Sequence, residues 1–199
     1  MKPHPTLGPM RWDALFGDME AQFAEGERLA VDAEISERAR AETASVALAD
    51  RLRGSLNSHV SAYLTCGRIF EGTLSHAGAD ALVLNELRHQ VLIPYGAVAR
   101  YAGLGRVSVA ETSPVRRRIG LAHALRGLAR DRTGLAVTLR HVPHTDSGLA
   151  GVIDRVGSDF FDLALVTPGE ARRASQVRQV ATVPFEALGA IRSWSAGEL

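Results

Sequence analysis

The spacing of apolar residues changes near residue 55, and this change separates a helical region from sheet-forming regions. Residues 11–53 are acidic, and their large apolar residues recur at steps of three and four, the spacing of one helix face. This face consists of Trp12, Leu15, Phe16, Met19 and Phe23. The pattern predicts an acidic amphipathic helix region over 11–53, long or broken once near Gly26, with Gly54 as its C-terminal cap.

After residue 55, apolar and polar residues alternate, which is typical of strands with one buried face. Five short strands are expected, at residues 60–64, 69–75, 81–85, 89–94 and 98–102. Gly72 interrupts the second strand, and an internal glycine is typical of a strand that bends sharply. Because closure is how so small a sheet removes its edges, residues 55–105 are predicted to form a small β-barrel.

A second helix and a second sheet are predicted to follow. Ser113 and Pro114 suit the start of a linking basic helix over 114–132, and Gly134 is expected to stop it. The buried stripe of this helix would be Val115, Ile119, Ala122, Leu125 and Ala129, and its small-residue side Gly120, Ala124 and Gly127. With a second barrel over 135–194, the predicted fold is α+β: a long N-terminal helix and two tandem small β-barrels.

Parts of the first barrel sequence return in the second. The matching stretches are FEGTL (70–74) with LAGVI (149–153), VLIPY (91–95) with ATVPF (181–185), and LADRLRG (48–54) with LAHALRG (121–127). The offset is 73 residues at the helix, 79 at the glycine strand and 90 at the proline strand. Two copies of one helix-plus-sheet unit are therefore predicted, the second being longer in two loops.

This order of elements resembles the Sm-like and related SH3-like small barrels. The resemblance rests on a helix, a strand, a glycine turn, a bent strand with an internal glycine, and a Gly-x-Asp turn at 78–80 and 157–159. It covers residues 45–103 and 118–194, and it implies barrels with an N-terminal helix, assembly through strand edges and RNA binding. Because the Asn usual in Sm proteins does not follow Asp80, RNA recognition cannot be carried over to any residue here.

The chain also departs from Sm proteins near the fourth strand, where Pro94 and Pro184 lie in place of an Arg-Gly or Lys-Gly motif. The opening RWDALF (11–16) makes the whole chain similar to an uncharacterised group of proteins from high-GC bacteria. Some of that group are labelled transcriptional regulators, but no helix-turn-helix pattern supports the label here.

Composition favours an ordinary globular protein of one or two domains, with 46% apolar residues among 199. No stretch approaches the roughly 18 consecutive apolar residues that a membrane span needs. The proline-rich start is unlike a signal peptide, and the single cysteine, Cys66, suits a reducing compartment, so a cytoplasmic location is expected. Residues 1–10 are predicted to be a disordered N-terminus.

Charge is distributed unevenly although the formal net charge is only +1. Residues 1–53 carry 7 basic and 10 acidic side chains, whereas residues 111–140 carry 7 basic and 2 acidic ones. The basic residues of the central segment include Arg116, Arg117, Arg118, Arg126, Arg130 and Arg132. In a helix, Arg116, Arg117 and Arg130 would share one face, which could follow a phosphate backbone or instead pair with the acidic first helix.

Other candidate sites are weaker. Arg172 and Arg173, with Arg178, lie in a long loop of the second barrel that could touch nucleic acid or an acidic partner, or be a hairpin tip without a function. The cluster His141, His144 and Asp146 lacks further ligands for a metal. No catalytic or nucleotide-binding motif is found, so neither an enzyme nor a cofactor or small-molecule substrate is predicted.

Two functions therefore remain open. The first is a non-enzymatic binding or regulatory adaptor, with nucleic acid as a candidate target of the arginine helix and loop. The alternative is a structural or protein-interaction module that self-associates or docks a partner through the apolar face of the first helix, with no nucleic-acid role. Under either function, the apolar face of the first helix would cover a barrel end, form a dimer seam or bind a partner protein.

Overall fold

The computed structural model describes residues 11–142, 148–165 and 179–193. The chain divides into an N-terminal unit that ends at Val46 and a second unit that begins at Ala47.

In its described residues, the N-terminal unit is one helix, α1 (Arg11–Ser45). The prediction of a helix is confirmed, but its break lies at residues 46–47 and not near Gly26. One glycine costs a helix about 1 kcal/mol relative to alanine, and good helix formers on both sides of Gly26 offset that cost. Ion pairs one turn apart, such as Glu25 with Arg28 at 3.4 Å, add a small local stabilisation.

Within the described residues, the second unit contains two short α-helices and ten strands. The helices are α2 (Leu48–Arg53) and α3 (Leu121–Asp131). The strands are β1 (His59–Leu64), β2 (Ile69–Ala77), β3 (Ala81–Glu86), β4 (His89–Pro94), β5 (Val98–Ala102), β6 (Leu135–Leu139), β7 (Gly148–Val156), β8 (Phe160–Leu165), β9 (Val180–Pro184) and β10 (Leu188–Ser193). The five strands predicted between residues 60 and 102 are confirmed to within two residues at each end.

The strands form one continuous antiparallel sheet in the order β5-β1-β2-β3-β4-β10-β6-β7-β8-β9. The prediction of two closed barrels is corrected here, because the sheet that the structure describes is open. Closing the first five strands would require β4 to pair with β5, but β4 pairs with β10. We call β1–β5 the first half-sheet, β6–β10 the second half-sheet, and the β4–β10 pairing the junction.

The two half-sheets have the same strand order and matching registers. Val60 lies opposite Gly72 in the first, and Leu135 lies opposite Gly151 in the second. A side chain at Gly72 would collide with the carbonyl group of Asn85, and one at Gly151 with the carbonyl group of Ala164, which is 79 residues further on. Both glycines are therefore required by the close approach of the next strand.

Each half-sheet encloses its own apolar core, and the junction links the two cores. The first core includes Leu52 of α2, and the second includes Leu125 of α3 at the equivalent position. Ala190 from β10 packs into the first core, whereas Leu92 from β4 packs into the second. Burial at the junction therefore stabilises both halves at once.

The linking basic helix predicted over 114–132 is corrected. Arg116–Arg118 form a short 3-10 helix, residues 119–120 are extended, and α3 begins only at Leu121. Val115, expected in the buried stripe, is exposed. The helix ends at Asp131 and is capped by Arg132, which adopts a left-handed conformation (φ 51°), so Gly134 is not the residue that stops it.

The start of α3 is held by the first half-sheet. The backbone N–H of Leu121 donates to Oδ1 of Asp80 at 2.7 Å, and the N–H of Ala79 donates to the carbonyl oxygen of Ile119 at 3.1 Å. Asp80 belongs to the turn between β2 and β3, and it is remote in sequence from the helix that it caps. This bond replaces the local side-chain cap that α3 lacks.

Replacing Asp80 by Ala is expected to lower the free energy of unfolding by about 1 kcal/mol, because an acidic cap at a helix N-terminus is lost. Urea unfolding monitored by circular dichroism at low protein concentration measures the change. Asp159→Ala is the matched control, since Asp159 occupies the equivalent turn and its carboxylate caps no described helix. Equal losses in both variants would contradict the capping role.

Candidate interaction surfaces

Among the described residues, each of the two outermost strands of the sheet has one edge without a neighbouring strand. Among the described strands, β5 pairs only with β1, and β9 pairs only with β8. An unpaired edge presents a row of backbone donors and acceptors that another strand can join. These two edges are the strongest candidate interaction surfaces of the second unit.

The outward backbone groups of β9 can be identified. The backbone N–H of Leu165 donates to the carbonyl oxygen of Gln179 at 3.0 Å, and the backbone N–H of Phe185 donates to the carbonyl oxygen of Asp159 at 2.7 Å. Hydrogen bonds to one neighbour involve every second residue of an antiparallel strand, so the backbone N–H and C=O groups of Ala181 and Val183 also face β8. The backbone groups of Val180 and Thr182 therefore point to the free edge.

A buried carboxylate fastens this edge strand to the sheet. Thr182 Oγ1 donates to Oδ1 of Asp162 at 2.7 Å, and Arg155 donates to Oδ2 through Nε at 2.9 Å and Nη2 at 2.7 Å. The bond from Thr182, followed by those from Arg155, lowers the pKa of the Asp162 carboxyl group. The side chain of Thr182 is thus committed to the sheet while its backbone faces outward.

Two tyrosine rings lie on or beside β5: Tyr101 belongs to β5, and Tyr63 belongs to the neighbouring strand β1. The guanidinium group of Arg100 lies 3.4 Å from the centre of the Tyr63 ring. Tyr101 is half-buried, and its hydroxyl group has no hydrogen-bond partner among the described residues. Burial, with a smaller contribution from Tyr95, raises the pKa of the Tyr101 hydroxyl group above its usual range.

The arginines proposed from the sequence are not brought onto one helix face. Arg116 and Arg117 are exposed on the 3-10 helix, whereas Arg130 is exposed near the end of α3, beyond the extended residues 119–120. Arg117 Nε donates to the carbonyl oxygen of Glu111 at 2.6 Å. The described part of residues 47–199 places no carboxylate within ion-pair distance of Arg116, Arg117 or Arg118.

The proposed partner face of the first helix lies on α1. Its five members are exposed there, from Met19 at 44% to Phe23 at 70%. A large apolar face in contact with water is a feature of docking surfaces. That this face covers a barrel end, forms a dimer seam or binds a partner stays a prediction.

Several proposed residues fall outside the described part of the chain. They are Arg172, Arg173, Arg178, His144 and Asp146. His141 is described and exposed. Cys66 is half-buried and packs against the first core, as a structural thiol would. In the residues that the structure does describe, no group of three or more His, Cys, Asp or Glu side chains could hold a metal ion.

Sequence reasoning missed the free edges and the Asp80 cap. The alternating pattern of β9 is like that of a paired strand, so it does not reveal which side of the strand lacks a neighbour. The cap joins residues about 40 positions apart, and the only local signal was the shared Gly-x-Asp turn.

No protein-family model and no curated protein matches the chain. Among the helices that the structure describes, none has the length and apolar character required to span a bilayer.

Replacing Asp162 by Asn is expected to destabilise the protein at neutral pH. Because the folded state lowers the pKa of this carboxyl group, its stabilisation is complete above the unfolded pKa and is lost as pH falls through the folded pKa. The unfolding midpoints of wild type and variant should therefore differ most near pH 7 and converge in acid. A difference that does not depend on pH would contradict this origin of the stability.

Proposed function

We propose that the chain is a non-enzymatic protein-interaction module whose two free sheet edges join copies of the chain head to tail. One observation carries the proposal: β9 is the equivalent of β4, and β5 is the equivalent of β10, each 90 residues away, and β4 and β10 are the two strands that pair at the junction. In the junction, Leu92 of β4 lies opposite Ile191 of β10. The same register between copies would place Thr182 of β9 opposite Tyr101 of β5.

The backbone directions support this pairing. At the junction, the N–H of Gln90 donates to Oγ of Ser193 at 3.3 Å, so Gln90 faces β10. Its equivalent in β9 is Val180, whose backbone groups face the free edge. Donors and acceptors are thus presented on the side where a neighbouring β5 would lie.

The capping turn supports the same arrangement. Asp80 caps α3, which follows it across the junction. Its equivalent, Asp159, contacts the hydroxyl group of its neighbour Ser158 at 3.1 Å, and α2 begins at Leu48 with no side-chain cap. In a head-to-tail assembly, Asp159 of one copy would reach the N–H of Leu48 in the next. The Asp159 carboxylate of one copy and the uncapped start of α2 in the next copy are therefore complementary.

An interface between β9 and β5 is heterologous, because the two surfaces differ. After two copies pair, the assembly still has one free β9 edge and one free β5 edge, so further copies can add until it closes into a ring or grows as a filament. Geometry of this kind makes a scaffold, and it requires no catalytic group. The proposal corresponds to the second of the two functions left open by the sequence, but it uses sheet edges instead of the first helix.

Purified wild type is expected to form dimers or larger assemblies of the 21.3 kDa chain, measured as mass in solution by light scattering after gel filtration. Val180→Pro should reduce that mass, because proline removes the outward N–H of β9 and breaks no bond to β8. Val180→Thr is the control, since it keeps the N–H and a β-branched side chain. A monomeric wild type at all concentrations tested would refute the proposal.

A mixing experiment tests the head-to-tail order. Val180→Pro keeps an intact β5 edge, so it should cap chains of wild type and shorten them in proportion to its share of the mixture. An interface formed by two identical edges would instead leave the wild-type assemblies unchanged.

A second candidate function, nucleic-acid binding, is favoured by the arginine turn. Three consecutive arginines, Arg116–Arg118, are exposed in a single 3-10 turn, which concentrates positive charge on a small surface. Arg130 lies apart from them in sequence and on another element. This function would therefore rest on the turn and not on a helical stripe.

If nucleic acid is bound, retention on immobilised DNA or RNA should fall steeply between low and moderate salt. Arg116→Ala with Arg117→Ala should make the logarithmic salt dependence shallower by about 2, for two lost phosphate contacts. Arg88→Ala with Arg106→Ala is the matched control, because both are exposed arginines elsewhere in the unit. Equal retention of both double variants would remove the arginine turn as the binding site.

A further inference from the structure

Apolar and small residues of α1 recur at alternating steps of four and three. The positions are Trp12, Phe16, Met19, Phe23, Gly26, Ala30 and Ala33. A mean step of 3.5 residues is the repeat by which one helix packs along another. We call these seven positions the α1 seam, which is about 32 Å long at 1.5 Å per residue. The next two steps reach Glu37 and Arg40, so the seam ends before them.

The side chains of the α1 seam are large in its first half and small in its second. Trp12, Phe16 and Phe23 are each more than half exposed among the described residues. After Phe23, the glycine and two alanines contribute at most a methyl group each. The distance between two packed helices, about 8–10 Å, depends on the size of the side chains in contact. A helix that packs evenly along this seam must therefore present small side chains to its start and large ones to its end.

We propose that a second copy of α1 is this partner, and that the two helices run antiparallel. With a two-fold axis beside Phe23, the other large side chains each meet a small one. The facing pairs are Trp12 with Ala33, Phe16 with Ala30, and Met19 with Gly26. Such an interface uses the same surface on both copies, so it closes at two. It is separate from the sheet edges and does not depend on their pairing.

A parallel pair of the same helices would be mismatched. Phe16 would face Phe16 while Ala30 faced Ala30, so the axes would be far apart at one end and close at the other. Glu37 would also face Glu37 at the next step of the repeat, where like charges repel. In the antiparallel pair, Glu37 lies beyond the first residue of the partner's seam and meets no like charge there.

The apolar area is of the order that a dimer requires. The three aromatic side chains, about two-thirds exposed, offer on the order of 300–500 Å². Leu15, Met19 and Leu29, on or beside the seam, are between 44% and 61% exposed and add to this area. The sum approaches the about 800 Å² per partner of a standard interface.

The two rows of residues that flank the α1 seam make the pairing sensitive to salt. One row is acidic, with Glu20, Glu27 and Glu34, and the other is uncharged, with Leu15, Gln22 and Leu29. Like rows meet in an antiparallel pair, so Leu15 lies beside Leu29, and Glu20 lies beside Glu27. Salt screens the repulsion between the glutamates and leaves the apolar contacts in place. The pair is therefore expected to tighten as salt rises.

A size swap tests the register in the full chain. Val180→Pro is the background, because it removes the sheet-edge pairing proposed above, and this chain is expected to be a dimer by light scattering. Phe16→Ala should weaken the dimer about tenfold through lost contact, and Ala30→Phe about as much through collision with Phe16 of the other copy. Both changes together should restore the dissociation constant to within about threefold, because the two side chains have exchanged places.

Ala21→Phe is the matched control, since Ala21 lies on the side of α1 opposite the seam and should leave the dissociation constant unchanged. A second measurement does not need the Val180→Pro background. Trp12 and Trp194 are the two tryptophans of the chain, so Trp194→Phe leaves Trp12 as the reporter. Its emission should shift to longer wavelength on dilution, as the seams separate.

Four results would overturn the proposal. The first is a Val180→Pro chain that stays monomeric, with Trp12 emission that does not change on dilution; another part of the chain or a different protein would then cover the seam. The second is a dimer that neither single change weakens. The third is a double variant no tighter than either single one. The fourth is an Ala30→Phe dimer tighter than the background, which would indicate a parallel pair.

Discussion

The pairing of β4 with β10 is the constraint on which the rest of the second unit depends. Only two residue pairs, including Leu92 with Ile191, form the ladder, but side chains on each side enter the core of the other half. Because β4 is committed to this pairing, the first half-sheet cannot close on itself. The open edges of β5 and β9 are therefore a direct consequence of the junction.

Open edges of this kind are normally blunted by charge, proline or a covering element. The β9 edge ends at Pro184, but Val180 and Thr182 leave outward backbone groups before it. On β5, Arg100 is stacked on Tyr63 and so is drawn towards its own sheet. Neither edge carries a lysine, since the sole lysine of the chain is Lys2. Both edges are thus short, and within the described part of the second unit no strand covers them.

The two helices that accompany the half-sheets show how equivalent positions acquire different roles. Leu52 and Leu125 are both completely buried, so the inward face is the same in both halves. On the outward face, Arg51 and Ser55 bind a backbone segment, whereas Ala124 and Leu128 line an apolar groove. A few polar-to-apolar differences therefore separate a surface that binds backbone from one that is lined by apolar side chains.

The sequence alone determined the local elements, because their signals are local. Alternation predicted the strands between residues 60 and 102, and Gly72 was expected to mark a sharp bend, whereas the structure shows that the next strand comes too close there for a side chain. The sequence also predicted the long helix α1, because a three-to-four spacing of apolar residues is a local signal.

Only the tertiary structure decided which strand edges meet. Alternating side chains indicate which face of a strand is buried. They carry no information about its two edges, because the edges consist of backbone N–H and C=O groups that almost every residue has. The sequence therefore could not indicate whether β4 pairs with β5 or with β10. For the same reason it could not indicate that the sheet is open. The same holds for Asp80, whose carboxylate caps a helix about 40 residues away, and for the split of the arginines, because residues 119–120 are extended to reach that cap.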